Sequence, residues 1–225
     1  MKTEINPITG GANMARRSFL RYAGASAATI AVLGAASCKK DKVTTDNSGV
    51  DIGSGDIGVL NFAYALEQLE AAFYLQVVST PYGGMSSIET SYLTDIRDHE
   101  VLHRDFFKAA LGTSAIKGLT PDFSAINFGD RTSVLQAAKL FEDTGVRAYD
   151  GAGYLIQDVN YLAIAGKIVS VEARHAALIS NLLTPGSFVA SDQVDASGLN
   201  YSNTIAEVLG AANGFLKTKV TANNF

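Results

Sequence analysis

The sequence predicts an all-α protein: a four-helix bundle with one long crossover from the second to the third helix and an additional C-terminal helix. Three observations predict it. Apolar residues recur at steps of three and four over four long stretches, the breaks inside each pair of stretches are short, and the break between the pairs runs to about 19 residues. No stretch carries a convincing strand pattern.

In the first stretch Leu60, Tyr64, Glu67, Ala71, Tyr74 and Val78 share one stripe, with Phe62, Leu66, Leu69, Phe73 and Val77 beside it. Thr80-Pro81-Tyr82-Gly83-Gly84 breaks this helix. The second runs from about Ser86 to Leu111 through Ile96, Glu100, His103, Phe107 and Ala110. A turn so short makes the two antiparallel neighbours. Gly112 to Asp130 is the crossover. A helix of about 25 residues is about 38 Å long, and about 19 extended residues reach about 60 Å, so the third helix starts parallel to the second. That helix opens at Asp130-Arg131-Thr132-Ser133 and continues through Leu135, Ala138, Phe141, Glu142, Gly145 and Tyr149. The fourth, about Val159 to Leu183, has as its charges only Lys167, Glu172, Arg174 and His175, which predicts burial over much of its circumference. Pro185-Gly186 ends it, and a last helix near Asn203 to Val220 is expected to pack on the bundle. The expected organisation is a signal over 1–37, a flexible tether over 38–55, the bundle over 56–185 and a C-terminal segment over 186–225.

Ala15-Arg16-Arg17-Ser18-Phe19-Leu20-Arg21 precedes an uncharged run from Tyr22 to Ser37, in the order of a signal peptide. The run is shorter than the roughly 20 residues that a membrane-spanning helix needs. It resembles a twin-arginine signal, which implies export of an already folded protein. Its end, Ala35-Ala36-Ser37-Cys38, resembles a bacterial lipoprotein box with Cys38 as the lipidated residue. The tether that follows is rich in Asp, Thr, Ser, Gly and Lys, a solvated spacer that holds a domain off a membrane surface.

Composition removes several function classes. With 47% apolar residues and 18% charged, the 225-residue chain buries a sizeable core. Its 18 Lys and Arg stand against 22 Asp and Glu, and no basic stretch lies beyond the first 42 residues, so nucleic acid is not an expected partner. A single cysteine excludes an internal disulfide, a zinc ribbon and thiol chemistry in the folded body.

The chemistry is carried by glutamate and histidine. The chain has three histidines, and two of them lie three residues after a glutamate, in Glu100-x-x-His103 and Glu172-x-x-His175. Residues three apart on a helix project from one face, so each motif aims a carboxylate and an imidazole at a common point. The pattern is duplicated: Glu67 precedes Tyr74 by seven residues as Glu142 precedes Tyr149, and each pair is followed by one Glu-x-x-His. Folded about a pseudo-twofold axis, the halves bring four carboxylates and two imidazoles to mid-bundle, the inward ligand set of a two-metal carboxylate site. Two divalent cations neutralise four carboxylates, which without metal are expected to repel and protonate in part. Glu67 is preferred over Glu70 as the ligand on the first helix, since the repeat places Gly145 opposite Glu70. The Tyr74 and Tyr149 hydroxyls are expected to reach the facing carboxylates, Glu142 and Glu67 respectively. His99 has no glutamate three residues back and is expected to be a solvated helix residue; Arg174 is expected to pair with a nearby carboxylate.

The stretches Asn61–Tyr74, Phe141–Tyr149 and Val171–Ala176 resemble the ferritin-like family that includes the desiccation-related proteins. The resemblance covers about residues 56–185 and implies a ferritin-like four-helix bundle, in which the ferritin and rubrerythrin relatives bind two irons. Carried over position by position, it implies Glu67, Glu100, His103, Glu142, Glu172 and His175 as metal ligands.

Together these readings describe an exported, lipid-anchored periplasmic protein with two metal ions, iron first, with manganese or zinc as other occupants. Glu100 and Glu172 are expected to bridge, with Glu67 and Glu142 terminal, in a site that oxidises Fe(II) with oxygen or peroxide. The alternative is a non-catalytic protective bundle at the envelope with structural metal or none. Expected partners are the metals, a small oxidant and a membrane through Cys38; the oligomeric state stays open. Replacing Arg16 and Arg17 by Lys is expected to hold the folded protein in the cytoplasm, and Cys38→Ala to move it from the membrane to the soluble fraction. Cell fractionation reads both, and unchanged export of the double Lys variant would sink the twin-arginine reading.

Overall fold

The computed structural model describes residues 49–225; the expected signal, Cys38 and the start of the tether lie outside the described residues. Four long helices, α1 (Gly55–Ser79), α2 (Ser87–Leu111), α3 (Arg131–Ala152) and α4 (Val159–Leu183), are followed by a short α5 (Ile205–Ala212). Local chemistry sets their ends. At the start of α2 the Ser86 hydroxyl accepts from the Glu89 N–H at 3.2 Å, while the Glu89 carboxylate accepts from the Ser86 N–H at 3.0 Å, a capping box. The Asp130 carboxylate caps α3 by accepting from the Ser133 N–H at 2.7 Å, and Asp158 caps α4 by accepting from the Asn160 N–H at 2.7 Å. α2 stops at Gly112, whose φ of 54° is one that L side chains rarely adopt.

Helix directions follow from cross-helix pairs. Tyr74 meets Glu142 while Tyr149 meets Glu67, so α1 and α3 are antiparallel. His103 faces Glu172 while His175 faces Glu100, so α2 and α4 are antiparallel too. The short turn before α2 makes it antiparallel to α1, and α3 therefore runs parallel to α2, as the crossover length predicts.

The crossover lies along α1. Asn61 donates from Nδ2 to the Ser114 carbonyl at 2.9 Å and accepts from the Ile116 N–H at 2.9 Å, and Gln68 accepts from the Leu119 N–H at 2.8 Å. Two α1 amides thus satisfy loop backbone that would otherwise be stranded against the core. Phe123 and Phe128 then pack on Phe73 at ring-centroid distances of 5.9 and 5.8 Å, Phe141 joins Phe73 at 5.0 Å, and Phe215 closes on Phe141 at 4.8 Å.

This covering reverses one expectation. α1, read as amphipathic, is buried on most of its surface, whereas α4, read as buried over much of its circumference, leaves Val159 and Leu162 at 73% and 44% exposure. The crossover and the C-terminal segment lie over α1, and among the described residues no comparable layer covers the outer face of α4. The last helix is shorter than expected because the chain turns at Asn213–Phe215 and becomes extended. There β2 (Val220–Thr221) pairs in parallel with β1 (Val50–Asp51), and Ile52 is buried in the core. The final residues of the expected tether are therefore structural. Val50 and Ile52 flank Asp51 with the period of a strand, a signal too short to stand out in a polar run. Gly151 is required where this C-terminal segment docks, since a Cβ there would lie 1.8 Å from the Asn203 carbonyl oxygen.

The Glu89 carboxylate ties three helix ends together. It accepts from Arg131 Nε at 2.6 Å, and Arg131 also donates to the Leu182 carbonyl at 2.9 Å. Burial pulls the Glu89 carboxyl up, but the Ser86 N–H and hydroxyl and the Arg131 guanidinium outweigh it and hold it at about 2. Glu89→Ala is expected to cost about 2 kcal/mol, the sum of a lost cap and a partly buried ion pair. Because the folded value lies below the unfolded one, this stabilisation is full above about 4.5 and is lost as pH falls toward about 2. Urea denaturation at about pH 7 and about pH 3 should show the gap between the two proteins narrowing in acid.

Candidate metal centre

Each long helix contributes to one buried cluster at mid-bundle. Glu67 comes from α1, Glu100 and His103 from α2, Glu142 from α3, and Glu172 and His175 from α4. The four glutamates are 0% exposed, and the structure brings all six expected residues together. They form two overlapping groups, Glu67/Glu100/His103/Glu172 and Glu100/Glu142/Glu172/His175, each with one ligand atom per residue and all such atoms within 4.8 Å of one another. Glu100 and Glu172 belong to both.

The geometry repeats across the pseudo-twofold axis. His103 Nδ1 lies 2.9 Å from Glu172, 3.5 Å from Glu67 and 3.8 Å from Glu100. His175 Nδ1 lies 2.9 Å from Glu100, 3.4 Å from Glu142 and 3.7 Å from Glu172. The Tyr74 hydroxyl donates to Glu142 Oε1 at 2.5 Å, and the Tyr149 hydroxyl donates to Glu67 Oε1. Each outer carboxylate thus has one oxygen occupied by a phenol and only Oε2 free. Glu100 and Glu172 have no phenol partner, and both oxygens of each face the cluster, one of them 2.9 Å from an imidazole Nδ1.

Eight buried atoms of these six residues make no hydrogen bond to the rest of the protein and meet only one another, closest where each Nδ1 lies 2.9 Å from a carboxylate: Glu67 Oε2, Glu142 Oε2, both carboxylate oxygens of Glu100 and Glu172, and Nδ1 of His103 and His175. Buried polar atoms are normally satisfied, so eight converging on one space form a donor set suited to a cation. Oxygen and imidazole nitrogen together fit first-row divalent metals.

Without a cation the histidines supply the countercharge. Burial works against charging His175, but Glu142, Glu100 and Glu172 outweigh it and push it up to about 12. His103 is raised in the same way, its burial overcome by Glu100, Glu172 and Glu67. Burial pulls Glu172 up as well, yet its bonds to the two imidazoliums hold it at about 2. Glu142, dominated by burial, is pushed up to about 7 despite His175; burial also raises Glu67, and burial and the Glu172 charge raise Glu100. The expected mutual repulsion of four carboxylates is therefore relieved internally, by two cations and by protons retained on the carboxyls.

Two further residues adjoin the cluster. His99, expected to be solvated, places Nδ1 2.9 Å from His175 Nε2, with the two rings stacked at 5.2 Å. Its spacing of four from His103 puts it on the same helix face, the signal that marks it in the sequence. Burial lowers its pKa, with the charge on His175 adding to the effect, so the neutral ring accepts from His175. Glu70 is also buried and packs at Gly145, where a Cβ would stand 3.1 Å from Glu70 Oε1. Burial, then the charges of Glu100, Glu172, Glu142 and Glu67, raises it well above the carboxylate range, so it is a neutral acid beside the cluster. Arg174 is exposed and has no ion pair among the described residues.

The sequence profile of the ferritin-like domain matches residues 55–185, more than half of the chain and all four long helices. No curated protein matches the chain.

Tyr74 and Tyr149 orient the carboxylates that present Glu142 Oε2 and Glu67 Oε2 to the cluster. Tyr74→Phe and Tyr149→Phe are each expected to weaken divalent-metal affinity by about 10- to 100-fold. Competition against a chromophoric chelator measures it, and unchanged affinity in both variants would remove the tyrosines from the site.

Proposed function

We propose that this chain, which belongs to the ferritin-like domain family, holds two metal ions, iron first, and oxidises Fe(II) with dioxygen or hydrogen peroxide. The observation that carries the reading is the set of eight oxygen and nitrogen donor atoms that meet only one another in one buried space, in two overlapping groups as a two-metal site requires. Glu67 and Glu142, each with one oxygen held by a phenol, serve as terminal ligands through Oε2. Glu100 and Glu172, with both oxygens facing the cluster and membership of both groups, serve as the shared pair. His103 and His175 complete the two ends through Nδ1, and His99 fixes the ring of His175 through Nε2.

Glu67, Glu100, His103, Glu142, Glu172 and His175 would hold two Fe(II) ions, which would supply one electron each to reduce dioxygen with two protons to hydrogen peroxide, or hydrogen peroxide with two protons to two waters. The chain's own contribution is to place the donors, keep the space dry and manage protons. The imidazolium protons leave Nδ1 on loading, while Glu70 retains a proton on a carboxyl beside the cluster. We propose the bacterial periplasm, on a lipid anchor at Cys38, as the setting of this activity, a reading supported by the twin-arginine pattern at Arg16-Arg17 and by the resemblance to the desiccation-related branch.

Anaerobic Fe(II) titration is expected to load two ions per chain, and stopped-flow addition of either oxidant to produce the ferric absorption band. Loading without oxidation would assign the metal a structural role; loading of one ion or none would overturn the two-metal reading. Because both imidazoles are cationic and burial keeps protons on carboxyls of the metal-free cluster, binding displaces at least about two protons, and log affinity should rise by at least about two per pH unit near neutrality. Calorimetry in buffers of different ionisation enthalpy reads that release directly.

A further inference from the structure

A largely apolar pocket of about 30 Å³, partly open to solvent, lies at the end of the bundle where the start of α1, the end of α2, the end of α3 and the start of α4 meet. Ala63, Phe107, Ala148, Ala152 and Ile164 contribute to its walls, its hydroxyl-bearing residues are Tyr149 and Tyr161, and the one that bears on the metal cluster is Tyr149. The Tyr149 hydroxyl is already engaged in donating to Glu67 Oε1. The cavity therefore abuts the residue that positions a proposed terminal ligand, and offers almost nothing to a solute that needs hydrogen bonds.

Size and polarity select the occupant. About 10–15 Å³ on this scale holds one water, so the space admits a diatomic molecule and little more. Water and hydrogen peroxide would surrender hydrogen bonds on entering and regain almost none. Dioxygen has none to lose, and apolar cavities take up apolar gases.

We propose that this cavity is a dioxygen-binding site that supplies the metal centre past Tyr149, making dioxygen rather than peroxide the oxidant taken from this side. The inference rests on the function proposed above and deepens it by selecting between its two oxidants. The electron balance is the one already given, in which two Fe(II) become two Fe(III) as dioxygen takes up two electrons and two protons to give hydrogen peroxide.

The cavity itself is tested on the metal-free protein, under pressurised dioxygen, by paramagnetic relaxation of alanine methyl groups. Ala148 should relax about tenfold faster than the similarly buried Ala71 and Ala138, and Ala63 about tenfold faster than Ala176, which has the same exposure, the enrichment expected for moving a two-atom apolar solute out of water. Equal relaxation within these comparisons would overturn the proposal. Ala63→Leu fills the space; it should abolish the enhancement at Ala148 and slow iron oxidation by dioxygen by about tenfold, leaving oxidation by hydrogen peroxide unchanged. Equal slowing with both oxidants, or with neither, would overturn delivery through the cavity. Ala148→Val, read at Ala63, repeats the test with a smaller addition should Ala63→Leu not fold. Failure to load metal would undo the proposed function alone, because the relaxation measurement needs no metal.

Discussion

Four carboxylates with no exposed surface stand at the centre of this bundle, and the rest of the structure is arranged around the cost of keeping them there. Burying charge without compensation is among the largest penalties a fold can carry. The compensation takes three forms. Two imidazoliums sit among the carboxylates, two phenols donate to the outer pair, and carboxyl groups retain protons where burial is complete. None of these uses all the available lone pairs, and the remaining donor atoms all face one space. Their only close partners are one another, with each imidazole Nδ1 2.9 Å from a carboxylate, so a divalent cation that replaces the imidazolium protons meets oxygen and nitrogen donors already brought together.

The ligand side of this arrangement was legible because it is local. Glu-x-x-His needs only helical spacing to aim two donors together, and duplication of the motif and of the Glu-to-Tyr step of seven identified both halves. Helix ends were legible for the same reason: Ser86, Asp130 and Asp158 cap where the apolar periodicity begins. What could not be read was which helix the loops would cover. Asn61 and Gln68 look like polar interruptions on α1, and their function of receiving the crossover's backbone appears only once Ser114, Ile116 and Leu119 lie against them. Burial of α1 and exposure of α4 thus depend on non-local packing that composition does not encode. The β1–β2 pairing was hidden likewise, since each strand is only two residues long and its partner lies at the far end of the described chain.

Glu67 was separated from Glu70 by comparing the two halves, and the structure gives that comparison a physical content. Glu70 needs room, and the room is at Gly145, where a side chain would press on its carboxylate. One half keeps a second acid and the other gives up its side chain to accommodate it. The residue that looks like a lost repeat position is therefore a condition for its counterpart.

The same reasoning applies to His99, and it makes the two ends of the cluster unequal. His175 has an imidazole behind its Nε2, whereas the repeat position corresponding to His99 on α4 is Val171, which offers no hydrogen bond to His103. A ligand whose second nitrogen is held has its ring orientation and tautomer set; one without such a partner is freer. His103 is also the more exposed of the two, with 13% of its side-chain surface accessible against 5% for His175. The end built from Glu142 and His175 is thus the more constrained, and the end built from Glu67 and His103 the more open. The apolar pocket is walled in part by Tyr149, which donates to Glu67 at the more open end. Divergence between two equivalent halves has left one end with its imidazole held from behind and more deeply buried, and the other beside an apolar pocket.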